Sequence, residues 1–364
     1  MSKPKEIRLS PSRVNSINDC SWQYYSSYHL RLPRTGNDGS KRGTICHALL
    51  ECLVKLNHRH YVNKLVESGD VFTFPAVARY LELLAVREDL PLDQVVVNKD
   101  KTGLMTHREE INNMILVALK SEFLGEPGAE ILSEIKHTVE VHTGNEKHDK
   151  KFCILGIIDK VFIYRNDKGE AIRVKIVDYK TSSKKFDEED LESNLQGLVY
   201  QLFAKKMFPG IKDISFDFLF LRFPKNPVVR VPPLPDSDVE GLEHYLTYIS
   251  RYMSAFTEEH AKKNFAKHNK ASQFLCGLYG KKKYFDKAKK IKIEHDEPQF
   301  VCALRGPFDY YAIIDDDGNN IRSAMTEKEL KVKNGEVAVK RRYMGCPCWH
   351  AQKQSLRRDW SALQ

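Results

Sequence analysis

The sequence predicts an α/β fold: a central mixed β-sheet flanked by helices, with a helical insertion and a C-terminal extension. Three observations predict it. Cys153 to Tyr164 is an apolar run of strand type with one acid, Asp159, inside it. Arg173 to Lys180 alternates like a strand, so that Val174, Ile176, Asp178 and Lys180 share one face. Amphipathic helical patterns lie before and after this pair, over 42–57 and 187–208.

Taken in chain order, residues 7–34 read as a helix and a connection that ends at Leu32-Pro33-Arg34-Thr35-Gly36. In the helix over 42–57 the apolar set is Ile45, Leu49, Cys52, Leu53 and Leu56, and His47 and Glu51 are spaced i, i+4. Residues 61–124 read as mainly helical, clearest at Tyr80 to Val86 and Ile111 to Leu119, an insertion expected to gate or line a substrate channel. Thr138 to His142 alternates and begins the sheet. Arg165 to Glu170, rich in Asn, Asp and Gly, joins the two motif strands as an antiparallel hairpin.

Asp187 then caps a helix whose stripe is Leu191, Leu195, Leu198, Val199, Leu202 and Phe203, with Gln196 and Tyr200 on one face beside it. Ile214 to Leu221 reads as a further core strand, Pro224 to Pro235 as a connection, and 236–263 as a helix. Beyond 295 the pattern predicts only short strands near 300–304 and 310–314 and a polar tail.

Composition is that of a soluble globular protein, with no apolar run of membrane-spanning length and no signal-peptide core in Met1 to Glu6. The eight cysteines are scattered, and Cys46, Cys52 and Cys153 sit in apolar helix or strand contexts. That predicts reduced thiols in a cytoplasmic protein. The net charge of +9 is concentrated between Ala261 and Glu294, where eleven lysines face two acids. There Lys281, Lys282, Lys283, Lys287, Lys289 and Lys290 are interleaved with Tyr284 and Phe285, a pattern suited to phosphates and unpaired bases. A solvated basic helix face is the plainer reading of such a run.

The chemistry is carried by the charges set into the two strands. An unpaired buried charge costs several kcal/mol, roughly, so an apolar core does not select Asp178 or Lys180. The hairpin brings Asp159 towards Asp178, and two close carboxylates repel unless a cation lies between them. A divalent ion would remove the conflict, with Lys180 meeting the anion that approaches it, which is the chemistry of phosphodiester cleavage. Taken alone, an Asp-x-Lys triplet is common and is usually a solvated ion pair.

The order Gly43-x-x-x-His47, Gly156-x-x-Asp159, Asp178-x-Lys180, Gln196-x-x-x-Tyr200 resembles the RecB-type branch of the PD-(D/E)xK nuclease superfamily. The opening Leu9-Ser10-Pro11-Ser12-Arg13, followed by Asp19-Cys20-Ser21-Trp22-Gln23-Tyr24-Tyr25, looks like the start of that branch, and the likeness covers about residues 7–222. The resemblance implies a restriction-endonuclease-like core over 1–260 and a basic extension over 261–364. It implies that His47, Asp159 and Asp178, with the Tyr179 carbonyl, ligate Mg²⁺ or Mn²⁺. Lys180 would then position the attacking water, Gln196 and Tyr200 would order the site and the strand being cut, and Glu51 would support His47.

It further implies a deoxyribonuclease, an exonuclease more than an endonuclease, acting on DNA ends or single strands beside a helicase or recombination partner. A different class, a non-catalytic nucleic-acid-binding subunit that keeps the fold, would be expected to have lost a ligand, and none is missing. Many relatives of this branch hold an iron–sulfur cluster with an N-terminal Cys and a C-terminal Cys-x-x-Cys-x5-Cys group. Cys20 matches the first position, but Cys276, Cys302, Cys346 and Cys348 do not reproduce the spacing. A cluster or zinc site from Cys20, Cys346, Cys348 and His350 stands as the lesser alternative to a buried thiol and a tail turn.

Overall fold

The computed structural model describes residues 8–33, 36–97, 104–141, 152–263, 276, 282–286, 291–295 and 301–347. Contacts divide the chain into two compact units, residues 1–11 with 36–250, and 12–35 with 251–364. The expected boundary near 260 followed chain order; by contacts the N-terminal helices group with the C-terminal part.

The first unit is built on a six-stranded mixed sheet flanked by helices, the architecture the alternation and hairpin signals predict. In chain order its elements begin with β1 (Arg8–Leu9) and, after two helices of the other unit, α1 (Pro11–Asp19) and α2 (Ser21–Tyr28), continue with α3 (Asp38–Leu56) and α4 (Arg59–Ser68). Then come α5 (Pro75–Glu88), a hairpin of β2 (Val95–Val97) and β3 (Leu104–Thr106), and α6 (His107–Leu119). The sheet strands follow: β4 (Glu130–Val141), β5 (Phe152–Arg165) and β6 (Ala171–Lys180). After α7 (Glu188–Glu192) and α8 (Leu195–Met207) come β7 (Asp213–Phe220), β8 (Val228–Val231) and α9 (Asp236–Ser254).

β5 organises the sheet. It pairs antiparallel with β4 between Phe152 and Ile163 and parallel with β1 at Cys153 and Ile154. It pairs antiparallel with β6 only from Lys160 onward. Between Ile154 and Lys160 that edge of β5 has neither partner in the ladder, and Asp159 sits in the gap. β6 runs parallel to β7, which carries β8 at the edge. The sheet begins at Glu130, eight residues before the alternation at Thr138 announces it.

Helix α3 starts at Asp38, four residues before the expected boundary, because Asn37 caps it by accepting from Ser40 N. The single helix expected over 187–208 is two. Asp187 caps α7 in a reciprocal capping box with Asp190, and Asn194 opens a second helix by accepting from Gly197 N. Short polar side chains that bond nearby amides favour such restarts over helix continuation. The break puts Gln196 in the first turn of α8. One glycine is required by the packing: a Cβ on Gly156 would lie 2.1 Å from the Phe203 ring, so only glycine lets α8 approach β5 this closely.

On the opposite sheet face a large apolar cluster joins Ile45, Leu49 and Leu53 of α3, Ile111 and Ile115 of α6, and Val177, Tyr179 and Leu219 of the strands. The insertion is thus part of the core. It also carries a buried charge triad: Glu110 of α6 meets Arg42 Nε at 2.9 Å and the Arg222 guanidinium at 2.7 Å. Arg42 in turn bonds His107 Nδ1 at 2.8 Å.

In the second unit α2 packs against α10 (Glu258–Lys263), so the helix expected over 236–263 is broken between α9 and α10. A hairpin of β9 (Lys282–Asp286) and β10 (Ile291–His295) lies in the basic segment, where a helix face was the plainer expectation. A three-stranded sheet follows, with β11 (Phe308–Ile314) between β12 (Asn320–Ala324) and β13 (Val339–Tyr343), and the short α11 (Glu327–Leu330) after β12. The strand expected near 300–304 is absent from its described residues. Trp22 Nε1 donates to Tyr343 Oη at 2.6 Å and Asn320 Nδ2 to Leu30 O at 2.7 Å, tying the N-terminal helices to this sheet. Among the described residues no helix is long and apolar enough to cross a membrane.

Candidate active site

The site lies at the end of the motif hairpin, where the β5–β6 ladder stops after Lys160↔Val177. Asp159 sits one residue beyond that pair and is held from two sides. Its Oδ2 accepts from Tyr179 N at 2.7 Å, and its Oδ1 meets His47 Nδ1 at 3.0 Å. His47 reaches it from α3, and Gly43, one helical turn earlier, makes that approach feasible: a Cβ there would lie 2.9 Å from Thr181 Oγ1.

Asp178 is buried, with 3% exposure. Lys180 Nζ lies 2.6 Å from Asp178 Oδ2 and donates to Gln196 Oε1 at 2.6 Å. Gln196 Nε2 donates to Asp178 Oδ1 at 2.8 Å and to Tyr200 Oη at 3.2 Å. Tyr200 in turn donates to Ile157 O on β5. The amide of Gln196 is therefore fixed by three partners, and it fixes both the carboxylate and the ammonium of the Asp-x-Lys triplet. Tyr200 is buried, its ring against Phe203 and Phe216, and it acts on this group through Gln196.

Glu134 belongs to the same cluster, and the sequence analysis missed it. The β4–β5 register is the same at Ser133↔Lys160 and at Ile135↔Ile158, so Glu134 stands opposite Asp159 on the neighbouring strand. Its φ is +50°, a left-handed backbone that costs a non-glycine residue energy and collects at functional sites. A Glu134 carboxylate oxygen, a His47 nitrogen and an Asp159 oxygen lie within 4.8 Å of one another. A lone acid inside Ile131-Leu132-Ser133-Glu134-Ile135 is the same kind of signal as Asp159, but it precedes the alternation at Thr138 that marks the strand.

The titration shifts report a crowd of carboxylates. Burial, then the charge of Asp159, pushes Asp178 to about 6, against the pull of Lys180 and His47. Glu134 is raised by burial, then by Asp159 and Glu51. Burial would lower His47, but its bond to Asp159 and the charges of Asp159 and Asp178 raise it instead. Three acids share one ammonium and one imidazole, an imbalance that a divalent cation relieves. Carboxylate oxygens with one imidazole suit Mg²⁺ or Mn²⁺. His47, Glu134 and Asp159 form the one group of three such ligands among the described residues.

The remaining expected residues lie apart from this network or outside the described residues. Glu51 lines the cavity beside His47 but pairs with Lys55, its i+4 neighbour. Lys282 and Lys283 are in β9; Lys281, Lys287, Lys289 and Lys290 lie outside the described residues. Cys20 caps α2, accepting from Gln23 N, while Cys348 and His350 lie outside the described residues. Cys276 and Cys302 are half-buried and Cys346 is buried. Among the described residues no three of these thiols come close enough to share an ion.

Comparison with known proteins bears on the family. No curated protein matches the chain. The solved structure described as "Crystal structure of SSO0001" is similar over 59% of this chain and 88% of that one, at 14% identity and a TM-score of 0.22. The family model of the PD-(D/E)XK nuclease superfamily matches residues 8–300, which include every member of the cluster around Asp159. The chain belongs to the PD-(D/E)XK nuclease superfamily.

Proposed function

We propose that this protein is a divalent-metal-dependent deoxyribonuclease that hydrolyses phosphodiester bonds at DNA ends or in single strands, as an exonuclease of the RecB-type branch. The observation that carries the reading is the convergence of Asp159, Asp178, Lys180 and His47 at one sheet end, with Gln196 bonded to both Asp178 and Lys180. Superfamily membership implies phosphodiester chemistry.

His47, Glu134, Asp159 and Asp178 would hold Mg²⁺ or Mn²⁺. The bound ion supplies a water of lowered pKa and offsets charge on the scissile phosphate. The protein's own contribution is positional. Tyr179 N and His47 orient the two oxygens of Asp159, and Gln196 orients Asp178. Lys180, now paired with Asp178, is the cation nearest the acids, suited to orient the attacking water and to meet the charge that develops on phosphate. The preference for strand ends rests on resemblance, the Gln196/Tyr200 pair being typical of relatives that thread strand ends. A helicase or recombination partner is part of this reading, and copurification tests it.

Digestion of end-labelled linear and closed circular DNA, single- and double-stranded, with Mg²⁺, Mn²⁺ or EDTA, tests the function. Metal-dependent loss of linear but not circular DNA is the expected result. Cutting of circles would make the protein an endonuclease. No cleavage in either metal, with DNA still retained in a gel shift, would replace this reading with that of a binding subunit.

A further inference from the structure

A cavity of about 490 Å³ extends from the acid cluster along one stripe of α3. Ser40, Thr44, His47, Ala48 and Glu51 recur at helical spacing on that stripe, and Glu134, Thr181 and Arg87 complete the lining. The two ends differ in charge. His47 and Glu51 stand beside Glu134 at the acidic end. Thr181 stands against Gly43, and the C-terminus of α5 lies at the other end, because Lys41 Nζ donates to Asp89 O at 2.8 Å. Arg87 is therefore at the end marked by Ser40 and Thr44. Those two residues lie ~10 and ~5 Å from His47 along the helix axis.

This far end has the chemistry of an anion site. Arg87 is half exposed, and among the described residues its partner is Glu88, met through Nε at 2.9 Å. That leaves both terminal guanidinium nitrogens for a second acceptor, in the fork geometry that fits a phosphate. The pair with Glu88 joins exposed sequence neighbours, and such pairs hold weakly. Ser40, Thr44 and Thr181 line the same space, Thr44 with its hydroxyl donated to Ser40 O, and the small side chains of the stripe leave the space open. The scissile phosphate belongs with the acids and Lys180; an anion about two helical turns away along α3 is a different one.

We propose that Arg87, with the hydroxyls of Ser40 and Thr181, binds the backbone phosphate of the substrate strand next to the scissile phosphate, and so sets which linkage reaches Asp159 and Asp178. This subsite rests on the nuclease reading above. It also gives the insertion, through α5, a direct part in holding substrate.

The test uses the full chain and a single-stranded oligonucleotide in which one phosphate at a time is replaced by an uncharged methylphosphonate. Cleavage is followed in single turnover with Mg²⁺ for the wild type and Arg87→Gln. A wild type that loses about tenfold or more in rate at one linkage beside the cut is expected, since a charge-assisted hydrogen bond is removed. Arg87→Gln should be slower by a similar factor on unmodified DNA and indifferent to neutralisation of that linkage, with an unchanged melting temperature. Equal losses at that linkage in both proteins, or no sensitivity outside the scissile linkage, would overturn the subsite and leave the nuclease standing. A wild type that cleaves no oligonucleotide in Mg²⁺ or Mn²⁺ would overturn both.

Discussion

The Tyr179 amide donates to Asp159 Oδ2 at 2.7 Å, so the two motif strands stay tied through a side chain after their backbone ladder has ended. That single bond aims Asp159 at His47 and leaves the mouth of the hairpin free of strand pairing. The site's chemistry depends on this opening.

Asp178→Ala and Lys180→Ala should each lower cleavage by about a thousandfold or more, because each removes charge needed at the reacting phosphate. Neither change should unfold the protein. Asp178 is a carboxylate whose charge the core disfavours, and Lys180 is partly exposed. Cleavage assays read beside circular dichroism check this; a fully active Asp178→Ala protein would sink the mechanism.

Glu134→Gln should weaken Mn²⁺ binding by roughly one to two powers of ten, the scale seen when a metal site loses a supporting group. The metal-free variant should melt at the same temperature or higher, because a carboxylate crowded by Asp159 and Glu51 has been neutralised. Titration with Mn²⁺ reads the first effect and calorimetry the second. Unchanged Mn²⁺ affinity would exclude Glu134 as a ligand.

Metal binding should also depend on pH through Asp178. Its ordinary value is 3.8 and its folded value about 6, so between them the folded, metal-free protein holds a proton that the unfolded chain has released. Stability of the metal-free protein therefore falls as pH rises from about 4 to about 6. A cation must displace that proton, so Mn²⁺ affinity should drop as pH falls below about 6. Titrations at mildly acidic and neutral pH that agree would show that Asp178 stays out of the binding equilibrium.

Glu110→Ala should destabilise the protein by about 3–5 kcal/mol, since it takes from the buried Arg42, and from the partly exposed Arg222, the carboxylate they share. Chemical denaturation measures this directly. A loss under about 1 kcal/mol would mean that the two guanidinium groups find water or other acceptors.

Lys160 gives a second pH signature, of opposite sign. Its ammonium is fully buried, donates to Phe123 O at 2.9 Å and lies over the rings of Phe123, Phe162 and Tyr179. Burial lowers its value from 10.5 to about 7. Between these values the unfolded chain holds the proton and the folded one does not, so this group makes stability rise with pH. The melting temperature of Lys160→Met relative to wild type should therefore be highest near neutral pH and fall as the solution becomes alkaline. A difference independent of pH would show that Lys160 titrates normally in the fold.

The mixed sheet, its hairpin and the helix carrying His47 were legible because alternation, turn chemistry and apolar spacing are local properties of the chain. Asp159, Asp178 and Lys180 stood out for the same reason: charge inside a strand pattern conflicts with burial, and the conflict is visible without coordinates. Gln196 and Tyr200 were legible only as a pair on one helix face, and the break before α8 that aims them depends on Asn194 outcompeting helix continuation.

Glu134 and Arg87 were not legible. Glu134 reaches the cluster because the β4–β5 register sets it opposite Asp159, and register is decided by pairing across the sheet. Arg87 lines the cavity only because α5 is held against α3 by the packing of the insertion. The sequence by itself determined which residues can carry metal and phosphate chemistry, since residue type fixes charge and donor atoms. The tertiary structure decided which of them meet, because approach distances depend on strand register, on Gly156 and Gly43 yielding space, and on a core assembled from segments far apart in the chain.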